Sequence, residues 1–489
     1  MRKSVWLALF LGLLFGWAVT ASAVQLAVHG EFGSKLQTTD SLGMISQDGS
    51  QGIITTRDEI DNQDLDDTWA ELQYRLWTVA TSDDGNVKGV WAMEYGTHNF
   101  GSSFLGFAND NGDFEMRLAY VDFQLPYFQS ENRLAVGLQE VDISKWLWAE
   151  TAAGIRNYGS FDVGATKVAY QIGWARQSDN TPYYNSDNDS FETENNDADY
   201  WFAKVDFNLK DIAKVDNFDI GLFFVYANNQ EENGEFTDNE PWWLGGEVQF
   251  LGFKGIEFEG TLIYEGGDGA VVNNQETDIS AWFVAASAGY HWTSQFKTTF
   301  TFWYASGDDN SGDKDQDNYE AIETDTYGSV VLFEDATFDD AYFVSNKPYL
   351  KMNSRSYTVS GNSYTLNGND PGFLMFRLRA DYQATPKLAL AAALSYMQFD
   401  ENPKVTLTNL TTNTVVFDRS FDDDIGWELD GYVKYELYPG LTVDLVAGYL
   451  WAGDGLDAYA FRTVAPTASD DLGKADDMYR VSLGVTYAF

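Results

Sequence analysis

Residues 478–489 read MYRVSLGVTYAF and end the chain. Tyr479, Val481, Leu483, Val485, Tyr487 and Phe489 alternate there with Arg480, Ser482, Gly484, Thr486 and Ala488. Strict alternation sends one set of side chains to each face of a strand. A last strand with one apolar face needs apolar surroundings and a neighbour for its backbone N–H and C=O groups. Lipid outside and the first strand alongside supply both. The expectation is an all-β chain closed into a transmembrane antiparallel barrel.

The N-terminus reads as a secretory leader. Arg2 and Lys3 start it, Val5 to Val19 form its apolar stretch, and Ala21-Ser22-Ala23 is a small-residue cleavage site. This divides the chain into a signal peptide over 1–23 and a single barrel over 24–489. After the leader no run of 18 or more apolar residues occurs, so helical spans are not expected. There is no cysteine, which excludes disulfides, thiol metal sites and a lipidated N-terminus. Aromatics make up 16% of the chain, as two interfacial girdles would require. The 75 acidic residues outnumber the 30 basic ones, giving a net charge of −45. That excess repels phosphates and argues against a nucleic-acid partner.

Alternating segments recur throughout, beginning with a first strand near Val24 to Leu36 and including Trp201 to Leu209, Phe218 to Tyr226, Ile256 to Tyr264, Leu374 to Tyr382 and Ile425 to Leu437. Short connections fall near residues 83, 128, 164, 213, 253, 295, 386 and 439. Long Asp/Asn-rich ones fall at 178–198, 229–240, 307–372, 399–424 and 452–477. Short turns at one end and long acidic loops at the other fit a bacterial barrel, with the long loops extracellular. The count is about 18 strands of membrane-crossing length. Ser356 to Leu366 reads as a hairpin within a long loop, so sixteen stays open as the alternative. The alternation slips near Val121, which predicts a bulge there.

With the apolar set facing lipid, the alternate set lines the lumen. It includes Glu71, Arg75, Glu115, Arg117, Glu257 and Glu259. Further along come Arg377, Arg379, Asp381, Glu428, Asp430, Lys434 and Arg480. Burying so many charges in a dry core would cost several kcal/mol for each unpaired ion. Water in the lumen removes that cost, and a barrel of this size is wide enough for it. The expectation is a water-filled pore for small hydrophilic solutes with cation preference.

Ile143 to Tyr158 is apolar and aromatic where the other long connections are acidic. It is expected to fold inward as a loop, setting Lys145, Glu150 and Arg156 at a constriction opposite Arg377 and Arg379. No cofactor is expected. The acidic run Asp308 to Asp317 offers oxygen ligands for weak Ca2+ or Mg2+ binding, but it lacks the twelve-residue calcium-loop pattern. The three histidines, His29, His98 and His291, fall in different segments, so no catalytic group is expected.

The closing strand, with Tyr487 and Phe489, resembles the terminal assembly signal of Gram-negative outer-membrane barrels. The whole pattern resembles Gram-negative porins. The stretch from Phe114 through Arg133–Val141 to Tyr158 resembles the homotrimeric porins of sulfate-reducing bacteria. Ile425 to Asp430 with Gly453-Asp454 is similar to alginate-export-type barrels, although their lumen is rich in Arg and Lys and this inward set is mixed. The resemblance implies an outer-membrane location, lipid and lipopolysaccharide surroundings, the barrel-assembly machinery as a partner, a homotrimer and no enzymatic activity. The alternatives it leaves are a substrate-specific or export barrel, or a structural sleeve for an envelope protein.

Overall fold

A computed structural model describes residues 24–39, 67–100, 114–128, 130–178, 183–185, 190–192, 196–231, 239–253, 255–272, 275–310, 314–324, 328–332, 355–359, 362–458, 475 and 477–489. Among them, eighteen strands close one antiparallel barrel, and these are numbered β1 to β18 in chain order. The first six are β1 Gln25–Thr39, β2 Asp67–Thr81, β3 Val87–Asn99, β4 Glu115–Gln124, β5 Glu131–Ser144 and β6 Trp148–Val163. Next come β7 Thr166–Ser178, β8 Asn196–Asn208, β9 Asn217–Glu231, β10 Glu240–Phe253, β11 Ile256–Val272 and β12 Gln275–His291. The last six are β13 Phe296–Ala305, β14 Phe373–Thr385, β15 Leu388–Gln398, β16 Asp424–Tyr438, β17 Leu441–Ala452 and β18 Met478–Ala488. The proposed leader, 1–23, lies outside the described residues.

Each strand pairs with its neighbours in sequence, and β1 pairs with β18 from Glu31 opposite Ala488 to Thr39 opposite Arg480. The ring therefore leaves no unpaired edge, which is what a low-dielectric surround demands. Closure is completed by Gly30 and Phe489. Gly30 N donates to Phe489 O at 3.1 Å, and Phe489 N donates to Gly30 O at 3.0 Å. The Phe489 ring lies across Gly30, where a Cβ would stand 2.4 Å from a ring carbon. The same ring stacks on Phe32 at 5.8 Å.

The eight short connections occur where the alternation places them, all at the end that holds the start of β1 and the end of β18. Their chemistry is local. In the β2–β3 turn Asp84 accepts from Ser82 Oγ at 2.6 Å and from Asn86 N at 3.0 Å, and Gly85 takes φ +71°. Those donors hold the Asp84 carboxyl below the usual carboxylate range. At the opposite end the hairpin expected in the long 307–372 connection forms, with Tyr357 opposite Tyr364. It joins strands Lys404–Asn409 and Thr414–Ser420 in a separate four-stranded sheet. It is not part of the ring, so the count is eighteen.

The outer face is apolar and layered. Leu222, Leu244 and Leu262 stand exposed at mid-height on β9, β10 and β11. Toward the loops an aromatic row runs Phe224, Trp242, Tyr264, Trp282, with ring centroids 6.3, 5.4 and 4.6 Å apart. Toward the turns Phe218 meets Phe250, and Tyr290 meets Trp292. A belt of half-exposed leucines between two aromatic rows matches hydrocarbon between two interfaces. In water it would be one continuous apolar patch far beyond what a soluble monomer exposes.

The structure moves three sequence expectations. The first strand runs on to Thr39, three residues past Leu36. The bulge lies at Arg117, where the β3–β4 ladder steps from Ala92–Leu118 to Met93–Met116, not at Val121. Beyond it Val121 faces out and Asp122 faces in, so Tyr120 turns inward and leaves the outward set. The Ile143–Tyr158 segment is not a loop but the paired end of β5 and β6.

Candidate functional site

The inner wall is graded along its height. On β9 the inward residues run from the loop end as Ala227, Val225, Phe223, Gly221, Asp219. On β13 they run Ala305, Trp303, Thr301, Thr299, Lys297, and on β14 Phe373, Met375, Arg377, Arg379, Asp381. The turn-side half of the lumen is polar and charged. The loop-side half is filled, from β8 round to β17, by a buried apolar cluster that includes Phe202, Phe283, Trp303, Phe373, Met397 and Leu450.

Two chain segments complete that cluster. The first is the tip of β5–β6. The β4–β5 ladder stops at Ala119–Leu138, and the β6–β7 ladder stops at Ala153–Arg176. The β5–β6 ladder continues alone to Ser144–Trp148. Residues 139–152 therefore leave the wall as a two-stranded hairpin directed into the lumen. Its tip reaches far strands: Lys145 Nζ lies 2.9 Å from Glu259 on β11, and Lys204 Nζ on β8 donates to Ile143 O at 2.7 Å. Trp146 packs on Phe283 at 5.0 Å and on Trp303 at 4.6 Å, while Trp148 packs on Tyr200 and Phe202. This corrects the expected inward loop. Only 145–147 is turn, and the segment crosses the lumen as paired strand.

The second segment belongs to the β13–β14 connection. Residues 314–324 and 328–332 lie inside the ring. Asp278 N donates to Lys314 O at 2.7 Å on the β12 side. Glu320 N donates to Glu265 at 2.7 Å, and Trp243 Nε1 donates to Glu320 O at 3.0 Å. At the hairpin tip Tyr319 donates to Trp146 O at 2.7 Å, and Ile322 N donates to Leu147 O at 2.9 Å. On the far wall Val331 N donates to Glu428 at 2.7 Å, and Arg377 donates to Gly328 O. The sequence reading missed this strap. Its signal was Val330-Val331-Leu332, an apolar run within an acidic connection.

On the other side of the hairpin a cavity of about 460 Å3 remains against β2–β4. Arg75, Trp77, Met93, Arg117 and Leu118 line its wall side, and Glu140, Asp142 and Glu150 its hairpin side. Arg75 pairs with Glu94 at 2.7 Å. Arg117 stands 3.7 Å from Glu94 and 3.5 Å from Glu150. Glu140 is exposed and has no ion-pair or hydrogen-bond partner among the described residues. Two guanidiniums thus face three carboxylates around this space, with the buried Glu94 beside both guanidiniums.

The residues singled out from the sequence divide into groups. Arg75, Arg117 and Glu150 meet at the cavity just described, and Glu115 stands opposite Glu94. Glu71 is buried, with Lys35 Nζ at 3.3 Å, and Arg480 donates to Gln37 at 3.0 Å. Glu257 holds Lys297 at 3.1 Å and the His291 ring, while Glu259 holds Lys145. Arg379 pairs with Asp381 at 2.9 Å and lies over the Tyr432 ring at 4.5 Å. It reaches Tyr432 because the strand between, β15, offers only Ala391 and Ala393 on that face. Lys434 stands opposite Asp444. Arg377, Glu428 and Asp430 face inward, but segment 328–332 covers them.

The expected trio does not assemble. Lys145 and Arg377 line one recess of about 190 Å3. Glu150 is on the opposite side of the hairpin, beside Arg117. Arg156 is in the wall on β6, opposite Gly173, with Gln171 at 3.4 Å and the Tyr158 ring at 4.9 Å. Among the described residues no group of three or more His, Asp or Glu converges on a metal position. Residues 311–313 of the acidic run lie outside the described residues. His29, His98 and His291 belong to β1, β3 and β12.

No family model and no curated protein matches the chain. Several solved structures are similar. The outer membrane protein OpdK from Pseudomonas aeruginosa is 11% identical with a TM-score of 0.48, over 95% of this chain and 99% of its own. OccK2 (OpdF) from the same organism is 12% identical with a TM-score of 0.48, over 94% and 97%. Salmonella typhi OmpF, in complex with daunomycin, is 12% identical with a TM-score of 0.41, over 96% and 99%.

Proposed function

We propose that this chain is a porin of a Gram-negative outer membrane, and that small hydrophilic solutes and ions diffuse through the space between the 139–152 hairpin and the β2–β4 wall. The observation that carries the reading is the pairing of an apolar, girdled exterior with a charged inner wall inside one closed ring. Such a ring is stable only with lipid outside and water within. The inward hairpin supports a narrowed passage over a wide one. The three carboxylates that line it against two guanidiniums, with Glu94 buried beside them, support cation preference, because low-dielectric walls focus their field into the path. Weak Ca2+ or Mg2+ at the acidic loops, contact with lipopolysaccharide, insertion by the barrel-assembly machinery through the Tyr487–Phe489 end, and a homotrimer like that of the sulfate-reducers' porins belong to the same proposal. Detergent-extracted mass tests the trimer.

The decisive experiment is planar-bilayer conductance of the purified barrel and of a trimmed form. Gln139 stands opposite Ala152 in the ladder, so a two-residue turn joining them removes the inward tip and leaves the wall strands intact. Conductance is expected to rise, as a widened aqueous path requires. Unchanged conductance would reject the constriction. In a salt gradient the reversal potential should show cation preference, and anion preference would count against the carboxylate-lined route. A chain that forms no channel in any form would favour the sleeve.

A further inference from the structure

We propose that Glu428, Asp430 and Arg377 are positioning residues: they form a seat that fixes strap segment 328–332 on the β14–β16 wall, and seating the strap sets the open cross-section on that side. This rests on the porin reading and deepens it. The sequence places the three residues along a wet pore wall. In the structure Glu428 is 0% exposed, Asp430 2% and Arg377 7%. Each binds the strap's backbone. Glu428 accepts Val331 N–H at 2.7 Å, Asp430 accepts Val330 N–H at 3.4 Å, and Arg377 donates to Gly328 O. Arg377 also reaches Asp430 at 3.3 Å and the Tyr432 hydroxyl at 2.6 Å, which fixes the seat's own shape.

The register explains why the seat exists. Arg377, Ser395 and Glu428 stand side by side on β14, β15 and β16, and the small Ser395 lets the two long side chains converge over it. Gly448 on β17 completes the recess, since a Cβ there would stand 2.7 Å from Val330 Cβ. Backbone recognition fits a strap whose Val331 and Leu332 side chains go into the apolar cluster while Val330 packs against Gly448. The seat is also incompletely satisfied. Glu428 Oε2, Ser329 Oγ and Ser395 Oγ are buried without a hydrogen-bond partner among the described residues. A buried carboxylate with one oxygen unmatched raises the free energy of the closed form, so the strap is held but able to leave.

This makes the two substitutions of Glu428 differ. Glu428→Gln keeps an acceptor for Val331 N–H and adds a donor toward the unmatched hydroxyls. Glu428→Met keeps the volume and removes the acceptor, leaving Val331 N–H unmatched. Because the chain has no cysteine, Val330→Cys introduces a single thiol at a position that is 0% exposed. In barrels whose heat-modifiable migration shows they are folded, a maleimide reagent should label Val330→Cys slowly. Adding Glu428→Met should speed labelling roughly tenfold, about the weight of one charge-assisted hydrogen bond, and raise single-channel conductance. Adding Glu428→Gln should leave labelling slow. Equal labelling in all three would overturn the seat. Faster labelling in Glu428→Met at unchanged conductance would overturn its control of the cross-section. Faster labelling in a barrel that never conducts would uphold the seat and reject the porin reading.

Discussion

At the scale of single residues, the barrel is closed at Gly30, over which the Phe489 ring lies. Gly30 and Phe489 exchange both backbone hydrogen bonds, and the Phe489 ring occupies the space a side chain at position 30 would need. Gly30→Val should therefore displace the ring, loosen the β1–β18 seam and lower the folded fraction, by an overpacking cost of about 1–3 kcal/mol. Heat-modifiable migration after refolding into lipid measures this, and a fully folded Gly30→Val barrel would show that the seam tolerates the shift. The Lys145–Glu259 pair is a contrasting case. Its side chains are 59% and 42% exposed, so Lys145→Ala should cost less than about 1 kcal/mol of stability. Any larger effect on current would mark a role in the path and not in the fold.

At the scale of elements, the hairpin and the strap hold each other in place. Trp146 is 5% exposed and its carbonyl accepts from Tyr319 of the strap, while its ring fills the space between Phe283 and Trp303. Trp146→Ala removes that anchor at a cost typical of buried tryptophan, about 3–5 kcal/mol locally. The eighteen-stranded ladder does not depend on it, so the barrel should still fold while single-channel current becomes noisy and larger. A quiet, unchanged channel would show that the strap holds itself. These elements also mark what sequence can and cannot deliver. Wall strands such as β14 and β18 were legible because each residue answers to lipid or lumen, and period two follows. Seven of the eight short turns were legible because they interrupt that period with Asp, Asn, Gly or Pro, and the eighth, Trp292-Thr293-Ser294-Gln295, turns on the Thr293 hydroxyl, which accepts from Gln295 N and Phe296 N. Residues 139–152 keep the alternation of a strand after leaving the sheet, so their inward course is invisible in periodicity. Only the misplaced tryptophans betray it. The strap has no period at all, and its partners Glu428, Asp430 and Arg377 lie about a hundred residues or fewer away in a direction no local pattern encodes. Hence their inward orientation was readable and their burial was not.

At the scale of the whole molecule, the same chemistry carries opposite consequences on the two faces of one wall. Leu378 is 56% exposed and Leu483 45%, both on the outer face. Thr299, opposite Arg379 on the inner face, faces the polar half of the lumen beside Glu257 and Gly289. An arginine on the outer face at mid-height must be solvated in hydrocarbon, which costs roughly 2–4 kcal/mol in a barrel. An arginine on the inner face at a similar height meets water and carboxylates. Leu378→Arg and Leu483→Arg should therefore each lower the unfolding free energy in lipid by about that amount, while Thr299→Arg should change it by less than about 1 kcal/mol. Denaturant unfolding in vesicles, followed by tryptophan fluorescence, reads the difference directly. If all three substitutions cost the same, the two faces do not differ in solvent. The ring would then have to be stabilised by something other than the boundary between oil and water, because no other feature distinguishes position 378 from position 299 so sharply.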